Sequence, residues 1–300
     1  MKHKSGYVTI LGLPNAGKST LLNAILGQKL AITNLKPQTT RKKIVGILST
    51  DDYQIIFIDT PGLISPKYLL QEKMMSQIEG SISDADILIV LIDVKKDPSG
   101  RSNLENNLLK NNISRYSDRI ILLLNKIDLI KQEETVKLIE HFEKMNMFSR
   151  VIPVSALTEF NLESLIDAVV EKLPEGPAYY PTDIVADEND RFFVSEIIRE
   201  KILDLYREEI PYSIEVIIPE FKEREKGKFF ISAEIIVERD SQKAIVIGKN
   251  GISIKKLGES SRKAVEEFLQ HEVYLDLRVK VRKNWRSDEN MLKSFGYSKD

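Results

Sequence analysis

The 300-residue sequence predicts two domains of different class: an α/β domain with a mostly parallel sheet and helices on both faces, then an α+β domain. Three observations predict this. Over 1–175, short continuous apolar runs alternate with helical patterns, and strands of that kind are covered on both faces. Pro174, Gly176, Pro177 and Pro181 then cluster as chain breakers. Beyond them the pattern changes to the order α-β-β-α-α-β.

In the first domain the patterns predict strands over 7–13, 43–48, 53–59, 86–94, 119–125 and 151–155. Helices are expected over 18–27, 67–83, 103–116, 133–145 and 162–172. The turn cluster 49–52 joins two adjacent strands, which predicts one antiparallel hairpin at the sheet edge. Ligands of such sheets sit at the carboxyl ends of the strands. The domain is expected over 1–175, a linker over 176–190 and the second domain, with a C-terminal tail, over 191–300. That second domain should carry a helix over 192–209 and strands over 213–219 and 229–238, with the charged stretch 222–228 between them. Helices over 244–247 and 252–270, interrupted at 248–251, and a last strand over 273–281 complete it.

Composition excludes several chemistries. The absence of Cys removes disulfides, zinc–thiolate sites, iron–sulfur clusters and thiol nucleophiles. His3, His141 and His271 are too scattered to suggest a metal site. Apolar runs such as 87–92 and 120–124 fall far short of the about 20 residues of a membrane span. Gly12 and Pro14 interrupt before a signal-peptide core could follow Lys2 and Lys4, so a cytoplasmic protein is expected. Net charge is −1 overall, but +2 over 191–300 and −3 before it. Within 243–286, eleven basic residues face five acidic ones, a local +6 that fits a nucleic-acid footprint.

The chemistry starts at Gly12-Leu13-Pro14-Asn15-Ala16-Gly17-Lys18-Ser19, which matches G-x-x-x-x-G-K-[ST] between a predicted strand and a predicted helix. Its glycines permit a tight backbone path, so successive N–H groups and the helix start, through Thr20, face an anion. Lys18 would reach the terminal phosphates and Ser19 would offer its hydroxyl to Mg²⁺. Asp59-Thr60-Pro61-Gly62 ends the next strand. Asp59 can hold the metal, and the Gly62 N–H can meet the third phosphate. Asn125-Lys126-Ile127-Asp128 would read the base: the Asp128 carboxylate accepts two N–H bonds from guanine, which adenine cannot supply. Asn125 would brace the loop, and the Lys126 stem would cover the ring. Ser155-Ala156-Leu157 would add a backbone N–H to the guanine carbonyl.

In the second domain, Ile247-Gly248-Lys249-Asn250-Gly251 places G-x-x-G between two helical stretches. That is the clamp of a KH domain, whose glycines let the backbone approach a nucleic-acid strand. Ile245, Ile247, Ile252, Ile254 and Leu257 would form the groove and support the helices, and Lys249, Lys255, Lys256 and Lys283 are the candidate cations. The α-β-β-α-α-β order is that of a type II KH domain.

The spacings of the first domain resemble the P-loop GTPases, with the effector threonine in Gln38-Thr39-Thr40-Arg41. Thr40 is preferred to Thr39 as the residue that meets Mg²⁺ when the third phosphate is present. Lys18, Thr40 and Gly62 are then the residues expected to carry hydrolysis. Ras-like enzymes orient water with a Gln just after the D-x-x-G glycine; Leu63 stands there and cannot. Backbone groups near Thr40 and Gly62, or a partner, would hold the water, and intrinsic turnover should be slow. Arg41 is expected to be solvated rather than an arginine finger. In related GTPases an asparagine at the Asn15 position marks use of K⁺ beside the phosphates.

The chain as a whole resembles the Era family of bacterial ribosome-assembly GTPases, a P-loop GTPase domain joined to a type II KH domain. Leu21-Leu22-Asn23, Gly27-Gln28-Lys29, the segment 37–41 with Gly46, and Val279-Lys280-Val281-Arg282-Lys283-Asn284-Trp285-Arg286 agree with it. Leu13 and Ala16 depart from its pattern at positions that act through backbone. The resemblance implies exchange between GTP and GDP with Mg²⁺, and docking of the GTP form on the 3′ end of 16S rRNA in the 30S subunit. Hydrolysis would release it. A monomer is expected, and the resemblance also implies peripheral association with the inner face of the membrane. A protein-directed switch and an RNA-binding module without GTPase activity are the alternatives; the motif 125–128 disfavours an ATPase.

Overall fold

The first sheet has the strand order β2-β3-β1-β4-β5-β6 in a computed structural model that describes residues 3–297. Its elements are β1 (Lys4–Gly12), α1 (Lys18–Leu26), β2 (Ile44–Ser49), β3 (Tyr53–Asp59), α2 (Leu69–Asp84), β4 (Ile87–Asp93) and α3 (Arg101–Leu104). They continue with α4 (Asn107–Tyr116), β5 (Ile120–Asn125), α5 (Gln132–Glu143), β6 (Arg150–Val154) and α6 (Leu162–Lys172). Only β2 runs antiparallel, paired with β3 from Ile44 opposite Asp59 to Ser49 opposite Gln54; the other pairs are parallel. The central strands β4 and β5 are buried at every position, which is why they read as unbroken apolar runs. Parallel pairing brings the ends of β1, β3, β4 and β5 to one edge, where the site is built.

The chain divides into two units: residues up to Pro66 with Met74–Asp187, and Lys67–Lys73 with the residues from Glu188 onward. The breaker-rich stretch expected as a linker over 176–190 lies largely along the first unit. The Gln54 amide is buried and holds it, accepting from the Tyr179 and Tyr180 N–H groups at 2.7 and 2.9 Å and donating to Tyr180 O at 2.8 Å. Ile47 N–H donates to Val185 O at 2.8 Å, and Ala186 bridges Gly46, so this segment covers the open edge of β2.

The helix expected over 103–116 is two helices. Asn106 caps α4 by accepting from Leu108 N–H at 3.0 Å, and the buried Asn103 turns inward to bond Leu13 N–H and Asp97. That demand on Asn103 and the cap at Asn106 outweigh continuous helical pattern.

The second unit holds α7 (Asp190–Leu205), β7 (Glu215–Lys222), β8 (Phe229–Val237), α8 (Asp240–Ile247), α9 (Ile252–Leu269), β9 (Val273–Val281) and α10 (Glu289–Ser294). Its sheet is ordered β7-β8-β9, antiparallel between β7 and β8 and parallel between β8 and β9. Val194, Ile198, Ile202, Ile231, Ile235, Val246 and Leu257 bring the helices and one sheet face into a common core. The α-β-β-α-α-β order is observed. Several features differ from expectation, including α7, which ends at Leu205 rather than 209. β7 runs on to Lys222 through a register shift between Ile217 and Glu220, so Pro219 does not end it. α8 starts at Asp240 rather than 244, because Gln242 Oε1 accepts from the Glu238 and Arg239 N–H groups at 2.9 and 3.1 Å. α10, not expected, is capped by Asp288, and Trp285 before it is fully buried with Nε1–H on Ser213 O at 3.1 Å. Among the described residues no helix is long and apolar enough to cross a membrane.

Candidate functional site

At the carboxyl edge of the first sheet is a cavity of about 440 Å³. The turn from β1 into α1 forms its floor. Gly17, at φ 103°, begins α1, and a Cβ there would fall 2.4 Å from Asn125 Nδ2, so a glycine is required. Asn15, Gly17, Lys18, Ser19, Thr20, Thr40, Gly62, Asn125, Lys126, Asp128, Ala156 and Leu157 all line the space, as expected of them. Gly12, Ala16, Asp59 and Ser155 stand behind that lining, all four buried.

One end of the cavity is polar and oxygen-rich. Ser19 Oγ donates to Asp59 Oδ2 at 2.6 Å and lies 2.8 Å from Thr40 Oγ1, which reaches the same carboxylate oxygen at 3.4 Å. Asp59 Oδ1 is buried with no hydrogen-bond partner among the described residues. Two hydroxyls and a carboxylate, one oxygen of it unused, are a hard donor set that suits Mg²⁺. Thr39, next in chain to Thr40, turns the other way and donates to Lys36 O at 2.7 Å. Lys18 Nζ donates to Gly12 O and Leu13 O at 3.1 and 3.2 Å. Burial lowers its pKa to about 8, with the Asp59 carboxylate pulling upward. Burial also raises the Asp59 pKa, against the opposing pull of Lys18 and the hydroxyl donors. An anion entering here would relieve Lys18 of its unfavourable burial.

The other end is a base-sized slot. Asn125 is buried and spans three segments: Nδ2–H donates to Ala16 O at 2.7 Å, and Oδ1 accepts from Ala156 N–H at 3.0 Å. The Ala156 N–H is therefore already engaged. Lys126 sits at φ 70° with its ammonium on Asn15 O at 2.8 Å and Asp93 Oδ2 at 2.6 Å. Asp128 is exposed on the turn that follows.

Around the effector segment, Asn15 Nδ2–H donates to Leu35 O at 2.6 Å, tying the phosphate loop to it. Leu63 is buried, and its N–H donates to Gly12 O at 3.0 Å. Arg41 corrects the expectation of a solvated side chain: it is 1% exposed and does not line the cavity. The sequence reading missed Leu35, Leu129, Asp93 and Asn103. Leu35 and Leu129 are exposed apolar walls of the cavity. Asp93 carried a usable signal, since it ends β4 at the edge where ligands of such sheets bind.

In the second unit the loop 248–251 joins α8 to α9. Gly248, at φ 75°, approaches the next helix so closely that a Cβ would fall 2.1 Å from Ser253 Oγ. Gly251 N–H closes the turn on Gly248 O at 3.1 Å, with Asn250 at φ 52° at its tip. Lys249, Asn250, Lys255 and Lys256 are exposed there, Ile247 is half-buried, and Ile245 and Ile252 expose apolar surface on either side. This is a cationic turn flanked by apolar side chains, the surface a single strand needs. Lys283 is exposed but lies where β9 ends beside β8, at the start of α8. α8, about 12 Å long, runs from that end to the loop.

Comparison with known proteins follows the same division. Residues 7–126 match the family described as 50S ribosome-binding GTPase, and residues 209–286 match the KH domain. The chain is 44% identical to GTPase Era of Clostridium kluyveri, covering 98% of this chain and 99% of that one. It is 46% identical to the chloroplastic GTPase ERA1 of Zea mays, covering 98% of this chain and 71% of the relative. Among solved structures it resembles Era in complex with MgGDPNP and nucleotides 1506–1542 of 16S ribosomal RNA, with a TM-score of 0.92, 37% identity, and 99% and 100% of the two chains covered. A variant of Aquifex aeolicus Era bound to GDP·AlF4⁻ aligns with a TM-score of 0.91 at 37% identity, covering 99% of this chain and 100% of the other.

Proposed function

The chain belongs to the Era family of GTPases, and from that premise we propose that guanine nucleotide in the cavity governs when the second unit holds the 3′ end of 16S rRNA. It is a GTP hydrolase that works with Mg²⁺. The observation that best supports the residue assignment is the convergence of Ser19, Thr40 and Asp59 beside Lys18.

The phosphate loop would wrap the phosphates with its N–H groups, and Lys18 would leave the Gly12 and Leu13 carbonyls to meet them. Ser19, Thr40 and Asp59 would hold Mg²⁺, which, when bound, neutralises charge that builds on the phosphate oxygens. Thr40 lies on the effector segment, so its hold on that site would report whether the third phosphate is present. Gly62 would sense the same phosphate through its N–H. The buried Leu63 side chain cannot orient water, which leaves backbone near Thr40 and Gly62, or a partner, to do so and predicts slow intrinsic turnover. Asp128 would select guanine, while Asn125 keeps the phosphate loop, the base turn and Ala156 in register. K⁺ would sit where Asn15 meets Leu35 O.

On the second unit, the 248–251 turn with Lys255 and Lys256 would grip the single-stranded RNA end. The protein would act as a monomer in the cytoplasm on the 30S subunit, GTP serving as a timer for release. Peripheral membrane association belongs to the same proposal and would appear as co-sedimentation with anionic vesicles. The deciding experiment measures binding of a 16S 3′-terminal oligonucleotide with a non-hydrolysable GTP analogue and with GDP. Tighter binding with the analogue is expected; equal binding in both states would refute nucleotide control.

A further inference from the structure

We infer that Asp93 is a positioning residue for guanine nucleotide retention, acting through Lys126; this rests on the guanine site proposed above. Asp93 is the last residue of β4, and its side chain is only 8% exposed. Its two carboxylate oxygens do different things. Oδ1 accepts from the Lys95 and Lys96 N–H groups at 3.1 and 3.2 Å and closes the turn after the strand. Oδ2 takes the Lys126 ammonium at 2.6 Å.

Lys126 needs such an anchor. Its backbone is in the left-handed region at φ 70°, immediately before the turn that carries Asp128. Its side chain is 26% exposed, so the ammonium has a path to water. Holding a lysine in one conformation costs rotamer entropy. The bond to Asn15 O at 2.8 Å supplies one anchor for the ammonium. The Asp93 carboxylate supplies a stronger one, because both partners are charged. With the head fixed between Asp93 and Asn15, the stem is stretched along the slot wall, where it covers one face of a base and shields it from water. Released, the ammonium would swing into solvent and take the stem with it. Nucleotide would then leave faster.

The test uses the full chain and labelled GDP, with dissociation followed by competition with unlabelled GDP. Asp93→Asn is the informative variant, because its amide oxygen can still accept from Lys95 and Lys96 while the charge facing Lys126 is gone. Dissociation is expected to speed up about tenfold, equivalent to about 1.4 kcal/mol, with the thermal midpoint of nucleotide-free protein unchanged. Lys126→Met should speed dissociation as well, and adding Asp93→Asn to it should have no further effect. A rate for Asp93→Asn within twofold of the unmodified protein overturns the inference. So does a tenfold effect that persists in the Lys126→Met background, since Asp93 would then act by another route. If the unmodified protein failed to bind GDP, the guanine site would fall instead, so the two failures are distinguishable.

Discussion

Ser19 Oγ and Asp59 Oδ2 lie 2.6 Å apart, and the second carboxylate oxygen of Asp59 is buried without a hydrogen-bond partner among the described residues. A buried acceptor left unsatisfied costs about 1–3 kcal/mol, more when charged. Such an arrangement persists where a ligand completes it. Asp59→Asn removes the negative charge at this point and turns one of two acceptors into a donor. GTP hydrolysis should fall about 100-fold, and Mg²⁺ titration of the residual rate should shift to higher concentration. A Mg²⁺ response identical to that of the unmodified protein would remove Asp59 from the metal site.

Lys18 donates to two carbonyls and is costly to bury, with a pKa lowered to about 8. Exchanging those neutral acceptors for phosphate converts the penalty into attraction. Lys18→Ala should weaken GDP binding at least about 10-fold, from the about 1.5–3 kcal/mol of hydrogen bonding to a charged group. Calorimetry measures it directly; unchanged affinity would contradict the phosphate-loop assignment.

Asp128 is exposed at the slot mouth, where no described basic side chain is bonded to its carboxylate. It can therefore give both oxygens to a base. Asp128→Asn replaces two acceptors with one acceptor and one donor, the pattern that complements xanthine. Competition between GDP and XDP should move toward XDP by about 10-fold or more. Retained preference for guanine would refute base reading by this residue.

The sequence motifs made the phosphate, metal and base groups legible because each is a short contiguous segment whose residues act in the order they are written. Their supports were less legible. Asp93 meets a lysine 33 residues away, and Asn103 braces Leu13 across 90 residues. The end of β4 marks the place of Asp93 but not its partner, and Asn103 does not differ locally from an ordinary helix start. Thr39 and Thr40 have the same chemistry, and only the path of the effector segment sends one toward Asp59 and the other toward Lys36. The stretch after Pro174 reads as a spacer because breakers dominate it, yet its backbone hydrogen-bonds to the buried Gln54 and to β2. Arg41, flanked by polar residues, carried no sign that it would be buried.

Asn15 Nδ2–H donates to Leu35 O at 2.6 Å, so the amide side chain and an effector-segment carbonyl already face one another. A monovalent cation between them would need the amide to turn its oxygen inward, after which two oxygens would be presented. K⁺, with its larger radius and weaker hydration, should raise GTP hydrolysis about 10-fold over Na⁺ by added positive charge beside the phosphates. Asn15→Ala should erase the difference. Equal rates in the two salts for the unmodified protein would remove the cation from the scheme.

The turn 248–251 combines two exposed polar residues, Lys249 and Asn250, with a backbone that a Cβ at Gly248 would disrupt. The two polar residues can be changed without entering that tight contact, which makes them the better probes. Replacing both by Asp removes one cation and adds two anions next to the strand's phosphates. Affinity for a 16S 3′-terminal oligonucleotide should drop about 10- to 100-fold, and losing the Lys249 contact should flatten the dependence of log affinity on log salt by about 0.7. Lys283→Asp, at the far end of α8, should cost much less. If the double variant binds as well as the unmodified protein while keeping its thermal midpoint, the strand lies elsewhere and the turn is not its clamp.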